Sequence, residues 1–146
     1  MTTILEFMSV DHDRLDNKIR MYSKEKLVDI ERAQIIFLSF KNELERHIIW
    51  EEDILFPVFE RKTGIKDVGP TSVMRMEHAQ IKDHLQEIKR KLHTKKIQNP
   101  CKEEVALFKV LESHNQKEEN ILYPGIDNLT SEQEKQQMIK QMSVNK

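Results

Sequence analysis

Cysteine is almost absent from this chain. Cys101 stands alone, so no intrachain disulfide, no cysteine-ligated zinc and no dithiol relay is available. Turn-forming residues are nearly as scarce. Three glycines and four prolines in 146 residues cannot supply the many tight turns of a sheet protein, whereas a charged fraction of 34% suits solvated helices. Nowhere do about 18 apolar residues run together, so no membrane span is expected. Neither sign of charge is in excess: the formal net charge is −1, which offers nucleic acid or an anionic membrane nothing to hold. Lys89, Arg90, Lys91, Lys95 and Lys96 form one basic run, read as the solvated end of a helix. Met1 to Val10 has no basic leader region and meets Asp11 and His12 too soon for a signal peptide. The expectation is a cytoplasmic, soluble, all-α chain forming one domain over 1–146, a length that supports a single core.

What the chain does contain is repetition. His47-Ile-Ile-Trp-Glu51-Glu-Asp-Ile-Leu-Phe-Pro57 and His114-Asn-Gln-Lys-Glu118-Glu-Asn-Ile-Leu-Tyr-Pro124 both read H-x-x-x-E-E-[DN]-I-L-[FY]-P. On a helix a His and a Glu four apart lie on one face, close enough to grip the same metal. A second phrase, Asp11-His12 followed by Leu15 and Ile19, is matched by Glu77-His78 followed by Ile81 and Leu85. The chain therefore reads as a duplicated helical hairpin, each half carrying one lone His and one His-Glu pair.

Helical periodicity places these residues. Leu5, Met8, His12, Leu15, Ile19 and Tyr22 form the seam of a first amphipathic helix. Asp29 is a candidate N-cap for a second, whose inward row is Ile36, Phe40, Leu44, His47, Glu51, Ile54 or Leu55, and Val58. Pro57 lies within that row and predicts a kink or shift. Thr63 to Pro70 marks the main turn, after which a third helix starts near Thr71 or Ser72 with Met74, His78, Ile81, Leu85, Ile88 and Leu92 inward. Asn99-Pro100 is the next break. A fourth helix carries Leu107, Leu111, His114, Glu118 and Ile121 inward and is predicted to end near Pro124-Gly125; the bundle occupies about 4–124. Ser131-Glu-Gln-Glu134 matches a capping box and opens a short fifth helix over about 131–142. The midpoints between successive His-bearing positions fall beside Asp29, beside Thr63-Gly64 and just before Asn99-Pro100. Four antiparallel helices would then bring His12, His47, Glu51, His78, His114 and Glu118 to one level of an up-down-up-down bundle.

Four imidazoles and two carboxylates suit iron, manganese or zinc; the lack of thiolate argues against copper(I) and iron-sulfur clusters. Two irons bridged by Glu51 and Glu118 use the set fully, with His12 and His47 at one metal and His78 and His114 at the other. An oxo or hydroxo bridge would bring each to five ligands and leave a place for O2, NO or peroxide. A lone seam His is more often a core residue than a ligand, but two seam carboxylates are costly to bury unless they meet a partner or a metal. His84 and His93 point elsewhere. Glu52 and Glu119 are turned about 100° from the bridging residues and can at most hold His N–H groups. Trp50, Phe56, Phe108 and Tyr123 read as packing; Tyr22, at a seam position, is the aromatic that could approach the site.

The arrangement H…HxxxE…H…HxxxE over roughly Ile4 to Pro124 resembles the hemerythrin-like, HHE cation-binding family. The resemblance implies a four-helix bundle around a non-haem di-iron centre that binds small oxygen- or nitrogen-containing molecules. Oxygen-carrying members have H-x-x-x-H on the third helix, where this chain has His78 and Lys82, and H-x-x-x-x-D at the end, where it has His114 and Glu118. The four-His, two-Glu set is more similar to bacterial di-iron proteins implicated in iron-sulfur cluster repair and to an iron-sensing ubiquitin ligase domain. Binding or sensing of O2, NO or iron without turnover is the preferred expectation. A redox enzyme, reducing NO or peroxide or donating iron for cluster repair, is its rival, and a metal-free interaction bundle is a third reading. No protein partner is indicated.

Overall fold

The first two helices begin where the sequence supplies a side chain for their unpaired N–H donors. In the computed structural model, which describes residues 1–95, 97 and 101–144, Thr3 caps α1 (Ile4–Glu25) by accepting from the N–H of Glu6 at 3.1 Å. The Asp127 carboxylate takes the N–H groups of Ile4 and Leu5 at 2.8 and 3.1 Å, tying the two ends of the bundle's chain together. Asp29 caps α2 (Ile30–Trp50) by accepting from Glu31 and Arg32. After α3 (Phe56–Thr63), Gly64 takes φ +73°, a left-handed value that suits a residue without Cβ and stops the helix. Then come α4 (Pro70–His93) and α5 (Lys102–Lys117), followed by α6 (Tyr123–Leu129). Lys96 of the basic run and the expected Asn99-Pro100 break lie outside the described residues.

Pro57 does not end its helix, and the shift expected there takes the form of a widened turn. Between α2 and α3 the chain makes one π turn, Glu51–Leu55, in which the N–H of Phe56 donates to the carbonyl of Glu51, five residues back. The second copy of the phrase does the same at Glu118–Leu122, with Tyr123 donating to Glu118. A proline has no N–H and clashes with the carbonyl four residues before it; widening the turn relieves the clash, and the Glu52 carbonyl accepts from Arg75. The fourth helix therefore does not stop at Pro124-Gly125 as expected but runs on through α6 to Leu129. The extra residue in each turn also rotates the downstream face by about 100°. Ile121, expected inward, is 62% exposed, while Leu122 and Tyr123 take its place in the core.

The result is an all-α, up-down-up-down four-helix bundle of α1, α2–α3, α4 and α5–α6, with no strand among the described residues. Helix α7 (Glu132–Val144) is the short addition, opened by a capping box: Ser131 N–H donates to Glu134 Oε1 at 3.0 Å, and Glu134 N–H to Ser131 Oγ at 3.1 Å. It packs by one edge through Met138 and Met142. Two apolar clusters fill the bundle. One holds Ile4, Met8, Trp50, Phe56, Met74 and Ile126; the other holds Leu15, Phe37, Phe40, Ile81, Leu85 and Leu107. Along α1, α4 and α5 the His residues fall between the two clusters, so a polar layer is sealed by oil on either side.

Candidate metal centre

Residues four apart on helices that cross this layer bring all six predicted side chains together. His12, His47, Glu51, His78, His114 and Glu118 are buried, and Glu51 and Glu118 are 0% exposed. Donor atoms of Glu51, His78, His114 and Glu118 lie within 4.8 Å of one another, as do those of His12, His47 and Glu118. The His rings pair accordingly, His12 with His47 at 4.7 Å between centroids and His78 with His114 at 4.9 Å. Each carboxylate serves both pairs. Glu51 sets Oε2 3.7 Å from His47 Nε2 and Oε1 3.1 Å from His78 Nε2. Glu118 sets Oε1 3.3 Å from His12 Nε2 and Oε2 3.1 Å from His114 Nε2. His84 and His93 belong to neither cluster.

Every one of the four imidazoles is held from behind by a carboxylate on Nδ1. His47 meets Asp11 at 2.7 Å, His114 meets Glu77 at 2.8 Å, His78 meets Glu52 at 2.7 Å and His12 meets Glu119 at 3.2 Å. With Nδ1–H donated outward, the Nε2 lone pairs are left facing the centre of the layer, the tautomer a metal ligand needs. The wiring follows the duplication. Asp11 and Glu77, each preceding a lone His, hold the His of the H-x-x-x-E phrase in their own half. Glu52 and Glu119, each following the first Glu of the repeated phrase, hold the lone His of the other half. Glu52 and Glu119 were expected as His partners; Asp11 and Glu77 were visible only as repeated acidic neighbours of a His, because their contacts cross between helices. Arg14 at 2.7 Å neutralises Asp11, and Lys117 does the same for Glu77.

Packing so many carboxylates into a dry layer makes it a basin for positive charge. Burial opposes charge on His12 and His78, yet Glu118 around the first, and Glu51 with Glu52 around the second, outweigh it and raise both to about 9. His47 is pushed down by burial. Burial, opposed by His47 and Arg14, leaves Asp11 at about 2. Burial and the charge of Glu118 push the Glu51 carboxyl up. Protons are a poor filling for this space. Glu51 Oε1 faces His78 Nε2 and Glu118 Oε2 faces His114 Nε2, each at 3.1 Å, but the buried Glu51 Oε1, His78 Nε2 and Glu118 Oε2 make no well-formed hydrogen bond. Three such atoms in one cluster are costly unless something binds them, and a divalent or trivalent cation fits that donor set.

One member of the layer was missed. Tyr123, read as packing, places its hydroxyl 2.6 Å from Glu51 Oε2 and 3.0 Å from Glu118 Oε1, and burial with these two carboxylates raises its phenol well above the ordinary value. The available signal was the [FY] of the repeated phrase, but α-helical spacing puts that residue off the ligand face and only the π turn returns it. Tyr22, expected to approach the site, instead donates to Glu104 within the cluster that also contains Phe37. Cys101 sits at the start of α5, more than three turns from His114.

Comparison with known proteins agrees with this chemistry. The iron-sulfur cluster repair protein YtfE of Escherichia coli O81 (strain ED1a) is 34% identical to this chain over 93 residues, covering 56% of this chain and 41% of that protein. YtfE of Escherichia coli (strain K12 / DH10B) and of Shigella boydii serotype 18 are 33% identical over the same extent. The match thus covers less than half of these relatives' length. No solved structure gives a significant match. The family described as the hemerythrin HHE cation binding domain matches residues 3–126. Since that span takes in all but the last turn of the four-helix bundle and every His and Glu of the buried layer, the chain belongs to the hemerythrin HHE cation-binding family.

Proposed function

We propose that the chain is a non-haem di-iron binding protein, with His12 and His47 at one metal, His78 and His114 at the other, and Glu51 and Glu118 bridging. The observation that carries this is the division of each carboxylate, one oxygen toward each His pair. Bound iron supplies an open, redox-active centre at which O2, NO, peroxide or further iron is held or sensed. The protein's share is to orient four Nε2 lone pairs through Asp11, Glu52, Glu77 and Glu119, and to keep water out with the two apolar clusters. Manganese and zinc suit the same donors, and iron is preferred from the family. Residues 1–146 act as one hemerythrin-like domain in this proposal. Its setting is cytoplasmic, consistent with a single cysteine and with no helix among the described residues long and apolar enough to cross a membrane.

The test is metal content per chain on protein purified without added metal, with absorption recorded before and after reduction in the absence of air. About two irons per chain, with ferric absorption lost on reduction, is the expected result; no metal and no uptake of iron(II) would leave a metal-free bundle. The three buried atoms without a well-formed hydrogen bond weigh against that last reading. A redox enzyme or iron donor is the second reading, favoured by the name shared by the relatives. Multiple turnovers of NO or peroxide with an electron donor, or iron transfer to an apo-cluster protein, would select it over stoichiometric binding.

A further inference from the structure

We infer that Tyr123 is a fifth protein ligand at the His12–His47 metal position, its Oη joining His12, His47, Glu51 and Glu118; the inference rests on the di-iron reading above. Four donor atoms surround the hydroxyl: Glu51 Oε2 at 2.6 Å, Glu118 Oε1 at 3.0 Å, His47 Nε2 at 3.3 Å and His12 Nε2 at 3.4 Å. Cations of this class hold imidazole and carboxylate donors at roughly 2.1 Å, so adjacent donors around one ion stand about 3 Å apart. In an octahedral shell each donor has four such neighbours. The hydroxyl has four neighbours at that spacing, which is the environment of a ligand. A phenol serving only as a hydrogen-bond donor needs one acceptor. That role alone does not account for two imidazole Nε2 atoms facing it from the far side of their Nδ1 contacts.

The duplication gives an internal control. In the first half the corresponding residue is Phe56, which stacks on His78 with ring centroids 5.7 Å apart and planes 9° from parallel. It brings no donor atom. The two metal positions are therefore unequal, with five protein donors at His12–His47 and four at His78–His114, and a small external ligand has more room at the second. As Oη takes up the cation its O–H bond breaks, one O–metal bond forms, the proton leaves to bulk solvent and no electron is transferred.

The chain has only two tyrosines, which makes the assignment testable without ambiguity. Tyr22 lies in the apolar cluster on the other side of the layer, so Tyr22→Phe leaves Tyr123 as the sole phenol beside an unaltered site. Wild type, Tyr22→Phe and Tyr123→Phe are loaded with iron(III), their iron is quantified, and visible absorption and resonance Raman spectra are recorded. A phenolate-to-iron charge-transfer band with tyrosinate ring modes is expected in wild type and in Tyr22→Phe, and its loss in Tyr123→Phe. Two irons per chain with no such band in wild type or Tyr22→Phe overturns the role of Tyr123 and leaves the di-iron reading standing. No iron uptake overturns both. If Tyr123→Phe does not fold, Tyr22→Phe decides alone, because any tyrosinate signal it shows comes from Tyr123.

Discussion

Replacing Glu51 by glutamine separates what this side chain does for the fold from what it does for a metal. In the metal-free protein the Glu51 carboxyl is pushed toward its neutral form, and it meets Tyr123 Oη at 2.6 Å and His78 Nε2 at 3.1 Å. An amide of the same volume offers one donor and one acceptor and can serve both in either orientation. The chelated variant should thus differ from wild type by no more than about one hydrogen bond, ~1 kcal/mol, or roughly 2–4 °C in Tm. With iron(II) the balance changes. Free metal at a hundredfold excess over Kd stabilises by about 2.7 kcal/mol per site, so two sites raise wild-type Tm by roughly 10–20 °C. Glutamine cannot bridge two cations as a carboxylate does, and most of that rise should vanish. Thermal melts followed by circular dichroism, in chelator and in anaerobic iron(II), provide the comparison. A variant that melts far below wild type in chelator, or that keeps the full iron-induced rise, refutes the bridging role.

The carboxylates behind the His rings should matter for affinity more than for folding. Asp11→Asn and Glu77→Gln are each expected to weaken metal binding about 10–100-fold, measured by competition with a chromophoric chelator, with near-normal far-ultraviolet circular dichroism; unchanged affinity would mean that Nδ1 contacts do not set the ligand orientation. Pro124→Ala restores a backbone N–H and with it the pull toward regular α-helix. Metal affinity should then fall roughly tenfold while helix content holds, and wild-type affinity would show that the proline does not maintain the π turn. Ser131→Ala removes one side of the capping box and should cost about 1 kcal/mol in chemical denaturation, with metal content per chain unchanged because α7 supplies no donor.

The legible parts of the fold are those set by α-helical periodicity. Met8, His12 and Leu15 could be placed on one inward face because their spacing is that of an α-helix, and the level of the six side chains followed from antiparallel hairpins turning near Asp29 and Gly64. Periodicity fails where the helix is not an α-helix. Beyond Glu118 it put Ile121 inward and Tyr123 aside, and the π turn reverses the two. Spacing along one helix also says nothing of the partner across the gap. Asp11 and Glu77 were seen to repeat, but that each would meet a His on the neighbouring helix is a property of helix packing and side-chain reach.

The prolines of the repeated phrase explain why it is longer than a ligand pair needs to be. His47 with Glu51, or His114 with Glu118, requires five residues; the phrase extends six further in each copy, to Pro57 and Pro124. The proline cannot follow a regular turn, the turn widens at the buried Glu, and the residue just before the proline is swung into the layer beside that Glu. The phrase is thus a device for placing two side chains, the Glu and the aromatic, against one centre from a single continuous helix. Since the backbone of the two copies is alike, Phe56 against Tyr123 is the polar difference between the aromatics that face the two His pairs. Phe56→Tyr would add a hydroxyl at the dry end of this pseudo-symmetric pair. It should leave the chelated fold within about 1–3 kcal/mol of wild type, the range for extra volume in a packed core, and weaken binding of azide as a small-ligand probe at the His78–His114 side. Azide titrations of the iron-loaded variant that match wild type would show that the aromatic at this place does not decide where a small ligand enters.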